Sequence, residues 1–115
     1  MAIRRLEKDE WQADLDRISK RLAGMRAEIE VAALNLGDQI AAEWVPMFGI
    51  VYDSKDDVLE IALDGLDHLI SKPKEIYVDE SQTELASFEV VDADDVRHIV
   101  QLREPLMLPA PSAAG

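Results

Sequence analysis

The run Asp9-Glu10-Trp11-Gln12-Ala13-Asp14-Leu15-Asp16-Arg17-Ile18-Ser19-Lys20-Arg21-Leu22 carries Trp11, Leu15, Ile18 and Leu22 at helical spacing. These four form one apolar stripe, while Gln12, Asp14, Asp16, Arg17 and Lys20 fall on the wet side. Asp9 is the expected cap of the first turn, and Glu10 adds negative charge near the positive end of the dipole. Arg17, Lys20 and Arg21 suit the opposite end, and Gly24 offers a stop.

The period then changes from helical to two-residue. Met25, Ala27, Ile29, Val31 and Ala33 alternate with Arg26, Glu28, Glu30, Ala32 and Leu34, which predicts a strand, although alanine and glutamate also suit a helix. Asn35-Leu36-Gly37-Asp38 reads as a turn, with residues 39–45 returning. Pro46 lacks a backbone donor, so Trp44-Val45-Pro46-Met47 reads as a strand edge or bend. Phe48, Ile50 and Tyr52 are expected to share a face. A polar connection at 53–57 and the alternation of Leu59, Ile61 and Leu63 make 48–63 a hairpin.

Asp64-Gly65-Leu66-Asp67 reads as a second turn, followed by the short apolar segment His68-Leu69-Ile70. Residues 75–78 offer a short strand and 79–84 an exposed loop. Strands over 86–91 and 96–102 flank the connector Asp92-Ala93-Asp94-Asp95. Pro105, Pro109 and Pro111 end regular structure, although Leu106, Met107 and Leu108 could cover an apolar seam. The expected organisation is a flexible segment over 1–8, a single α+β domain over 9–108 and a flexible tail over 109–115. Within it, an N-terminal helix packs on a strongly curved antiparallel β-sheet or a partly open small barrel. The helix stripe can close this seam within one chain or against a second copy.

A chain of 115 residues with 48% hydrophobic and 31% charged residues has material for one core and the charge to stay in solution. The 24 acidic residues outnumber the 12 basic ones, and a formal charge of -12 repels phosphate backbones and anionic membranes. A basic partner or solubility explains that charge better than nucleic acid does. Cysteine is absent, which excludes disulfides, a thiolate nucleophile and a cysteine metal site. Neither an apolar leader after Arg4 and Arg5 nor a run of roughly 18 apolar residues is present, so the expected location is the cytoplasm.

His68 and His98 are the two histidines. His68 with Asp64 and Asp67 nearby is the candidate acid or base, because an imidazole beside a carboxylate exchanges a proton near neutral pH. The competing reading is a polar residue at the start of a strand. His98 shares its alternation with Val96, Val100 and Leu102, the pattern of a partly buried, hydrogen-bonded histidine. A joint metal site would need carboxylates brought in from elsewhere, and no metal-ligand spacing is present. Asp53, Asp56 and Asp57, like Asp92, Asp94 and Asp95, read as solvated turns rather than calcium loops. The serines lack a nucleophile elbow, and no phosphate loop or other cofactor motif occurs.

Taken in order, Trp11, Leu36-Gly37-Asp38-Gln39, Val45-Pro46-Met47-Phe48-Gly49-Ile50, Leu59-Glu60-Ile61-Ala62, His68-Leu69-Ile70 and Arg103-Glu104-Pro105 resemble a family of small uncharacterised bacterial proteins, a DUF5335-like domain of unknown function. The resemblance covers residues 9–108. It implies the helix-plus-sheet architecture and carries no catalytic residue set. Where that family commonly has a compact Asp-Gly turn in the last hairpin, this chain has Asp94-Asp95, which makes a left-handed turn position less comfortable.

The expected function is therefore a noncatalytic accessory or protein-interaction domain, with a homodimer or a protein partner. The alternative is a small-molecule-binding protein or weak hydrolase using His68 and nearby carboxylates, with Trp44, Phe48, Tyr52 or Tyr77 around a concave site.

Overall fold

Residues 2–33, 37–80 and 85–103 are described by a computed structural model of the chain. The helix α1 spans Trp11–Leu22 and buries Trp11, Leu15, Ile18 and Leu22, the stripe expected from their spacing. A single 3-10 turn over Lys8–Glu10 precedes it, so Glu10 rather than Asp9 holds the cap position, and no side chain caps the helix. Gly24 ends it in the left-handed region, with φ 86°. The chain then joins the sheet at once: the Gly24 N–H donates to Met47 O at 2.9 Å, and the Met47 N–H donates to Met25 O at 2.8 Å.

Among the described residues, eight strands make up one curled antiparallel sheet. They are β1 (Ala2–Arg5), β2 (Arg26–Ala33), β3 (Gly37–Asp53), β4 (Val58–Leu63), β5 (Leu66–Ser71), β6 (Pro73–Glu80), β7 (Leu85–Asp92) and β8 (Arg97–Arg103). Their order is β1-β6-β7-β8-β2-β3-β4-β5, and among the described residues β1 and β5 remain its two open edges. The fold is thus α+β, with the helix on a curled sheet that does not close.

The long strand β3 links two halves of that sheet. Gly37 to Pro46 pairs with β2, and Met47 to Asp53 pairs with β4. Beyond Pro46 the side of β3 turned away from β4 faces α1. There Ser19 does the work of a missing strand: its Oγ accepts from the Ile50 N–H at 2.8 Å and donates to Ile50 O at 3.3 Å. Both backbone groups are satisfied, which removes a cost of about 1–3 kcal/mol for each one left unpaired in the interior. Glycine at position 49 makes this approach feasible, since a Cβ there would stand 2.6 Å from Ser19 Oγ.

Further expectations are corrected here. Residues 1–8 are not all a loose lead-in: β1 pairs with β6, and Leu6 is buried in the core beneath Trp11, whose Nε1 donates to Leu6 O at 3.3 Å. Four residues with two arginines carry too little apolar pattern to read as a strand by themselves. Pro46 lies within β3, where its missing donor coincides with the end of pairing to β2. Phe48 faces solvent instead of sharing the buried face of Ile50, because the register shift between Met47 and Gly49 reverses the alternation.

The turn at 35–36, the loop portion 81–84 and the tail at 109–115 lie outside the described residues, as do Leu106, Met107 and Leu108. Asp79 and Glu80 belong to β6 rather than to a loop. Glu80 ties three elements together: its carboxylate accepts from Arg4 on β1 at 3.1 Å and from Arg17 and Arg21 on α1 at 3.1 and 2.7 Å.

Candidate functional site

His68 and His98 meet inside the curl. Alternation along β5 turns His68 inward with Ile70, and alternation along β8 turns His98 inward with Val100. The two strands are separated by three others in the sheet order, yet the curl sets His68 Nε2 2.9 Å from His98 Nδ1. His98 Nε2 stands 3.1 Å from Asp92 Oδ2. His98 is buried, as its place in the alternation predicts, and His68 is half-buried.

The proton pattern follows from the carboxylate. Burial by itself would raise the Asp92 pKa, but hydrogen bonds from His98 and from the backbone N–H groups of Val96 and Asp94 outweigh it and hold the group below its ordinary value. An ionised carboxylate only accepts, so His98 donates to it from Nε2. A single hydrogen bond joins His68 Nε2 to His98 Nδ1 and continues the chain that begins at Asp92. Burial first, and the neighbouring His98 second, push the His68 pKa below its ordinary value and favour its neutral form. Chemically the chain can pass a proton between His68 and Asp92; structurally it clasps β5 to β8.

Asp64 and Asp67, the carboxylates nearest His68 in sequence, are both exposed. Asp64 lies in the turn after β4, and Asp67 points to the opposite face of β5 from His68. The partner of His68 is His98 on β8, backed by Asp92. Sequence reasoning missed the pair because His68 and His98 are 30 residues apart and on strands that are not neighbours. Only the expectation that His98 is inward and hydrogen-bonded pointed toward it. No cluster of three or more histidine or acidic residues among the described residues is arranged to hold a metal ion.

The four aromatic candidates do not gather around one concavity. Trp44 takes a positive φ of 52° and lies 3.6 Å below the Arg103 guanidinium. Tyr52 packs edge-on against Trp11, with centroids 5.1 Å apart, and donates to Asp57 Oδ1 at 2.7 Å. Burial, and then that carboxylate, push its pKa up to about 12. Tyr77 lies on the outer face of β6 and donates to Glu75, and Phe48 is on the surface.

Outside the curl, β3, β4 and β5 present a different surface. Val51, Glu60 and Leu69 form one row across the three strands. Val51 is 58% exposed, Leu69 60% and the nearby Phe48 61%. Asp53, Asp56, Asp64 and Asp67 stand exposed around this face.

Among the described residues, one α-helix sealing the gap in an eight-stranded, open antiparallel sheet, with a histidine pair clasping the curl, defines a class of α+β protein. The chain belongs to the family of unknown function DUF5335, whose model matches residues 2–111. It is also similar to a protein of Aquifex aeolicus (strain VF5) described as an uncharacterised protein, with 39% identity over 110 residues, 95% of this chain and 99% of that one. No solved structure matches the chain. No helix among the described residues is long and apolar enough to cross a membrane.

Proposed function

We propose that this chain is a noncatalytic accessory or protein-interaction domain of the cytoplasm, which docks a protein partner or a second copy through the outer face of β3, β4 and β5. One observation carries the reading: Phe48, Val51 and Leu69 are each more than half exposed on one face of a chain whose formal charge is -12. Large aliphatic and aromatic groups held in water together, with a charged rim, are the composition of an interface. The histidine pair supports the same reading, because His68 Nε2 is already committed to His98 and the chain of bonds joins two strands.

Size-exclusion chromatography with light scattering, together with copurification from the source cell, tests this. The expected result is a dimer or a reproducible partner that is lost on Phe48→Ser or Leu69→Ser, with the circular dichroism spectrum unchanged. A monomer that recovers no reproducible partner overturns it.

A further inference from the structure

We infer that the partner is an extended segment rich in alternating lysine or arginine and aliphatic residues, which adds as a ninth strand to the free edge of β5. This rests on the interaction reading above and gives it a chemistry and a place.

The two open edges differ. The outer strand β1 has four residues, and its Arg4 and Arg5 are exposed. Short length and positive charge are the devices that keep an edge from pairing. The other edge, β5, has six residues, runs in unbroken register with β4 and contains neither lysine, arginine nor proline. Among the described residues it pairs with β4 alone. Its outward side therefore offers backbone donors and acceptors in regular order, the template for strand addition.

Beside that edge is a shallow groove of about 240 Å³, lined by Val51, Asp53, Asp56, Val58, Glu60 and Leu69. Three aliphatic side chains and three carboxylates line it, and no cation does. A lysine or arginine on the added strand has the matching construction: its methylene stem lies along Leu69 and its charged end reaches toward Glu60 on β4, with Asp53 and Asp56 beyond adding to the negative field. Alternation along the added strand would bring every second side chain to this outer face. The overall charge of the protein draws such a segment in and repels a second copy of the chain.

The test is a titration of the ¹⁵N-labelled full chain with a blocked hexapeptide of alternating lysine and valine, with the glutamate-valine hexapeptide as control. Amide signals of residues 66–71, with Val51 and Glu60, are expected to shift and saturate, and exchange of the edge amides is expected to slow. Leu69→Ser and Glu60→Lys are each expected to weaken binding by roughly tenfold; both positions lie on the outer face, and circular dichroism verifies folding. Equal binding of the acidic peptide, shifts centred away from β5, or self-association through β5 in place of peptide binding would overturn the inference. Copurification separates the two levels. A reproducible partner lost on Phe48→Ser but indifferent to Leu69→Ser and Glu60→Lys sinks the β5 assignment and leaves the interaction reading standing, whereas a monomer that recovers no partner sinks both.

Discussion

Nε2 of His68 on β5 and Nδ1 of His98 on β8 are hydrogen-bonded across 2.9 Å, so two strands that are not neighbours in the sheet are joined through their side chains. The folded state favours neutral His68, whose pKa lies below its ordinary value, so between that lowered value and about 6.5 the unfolded chain binds more protons. Stability is expected to fall as pH drops through this window and then to level. Asp92, whose folded pKa is also lowered, adds a separate loss further into acid, as pH falls through its folded value. Thermal unfolding between pH 7.5 and 4.5, compared with His68→Gln, checks the first step. An identical pH slope in the two proteins would refute it.

Ser19 and Gly49 form a coupled pair. Gly49→Ala should be strongly destabilising in the natural sequence, because the new methyl meets Ser19 Oγ at 2.6 Å. Ser19→Ala removes the clash but strands the N–H and C=O of Ile50, a loss of about 1–3 kcal/mol for each group not reached by water. In the Ser19→Ala background, Gly49→Ala should therefore cost much less. A double-mutant cycle by urea unfolding reads the coupling, and additive effects would contradict the geometry.

Glu80 holds Arg4, Arg17 and Arg21, and its hydrogen bond with Arg17 is the leading cause of its lowered pKa. Glu80→Gln is expected to cost about 1–3 kcal/mol at low salt. High salt should narrow the difference, because the arginines are partly exposed. Urea unfolding with and without added salt measures both effects, and a neutral substitution at low salt would count against the hub.

Trp11 is 1% exposed, and its indole reaches both Leu6 and Tyr52. Trp11→Ala should cost about 3–5 kcal/mol, the range for deleting a large buried aromatic ring. Chemical denaturation gives the number directly. A loss below about 1 kcal/mol would mean that the helix does not seal the sheet.

The parts of this architecture that were legible in the sequence are those set by local period. Trp11, Leu15, Ile18 and Leu22 announce the helix, and the alternation around Leu59 and Val100 announces strands with an inward side. Phe48 was misassigned because one register shift after Met47 reverses every later parity, and composition carries no mark of it. The last hairpin was legible in its place, at 86–91 and 96–102, but its turn lacks the glycine that a left-handed position favours. Asp95 nevertheless adopts φ 62°, while Asp92 Oδ1 accepts from the N–H groups of Asp94 and Val96 and supports the turn from within. The candidate site was the least legible part. His68 was visible, but its partner depends on how far the whole sheet curls, a property no short window contains.

Because β3 runs first beside β2 and then beside β4, loosening either companion frees backbone on which the other depends. Heat should consequently release both halves together, as one calorimetric peak whose van't Hoff and calorimetric enthalpies agree. A seventeen-residue strand thus makes melting a shared event, with its junction at Pro46 and Met47 as the place where one half feels the other.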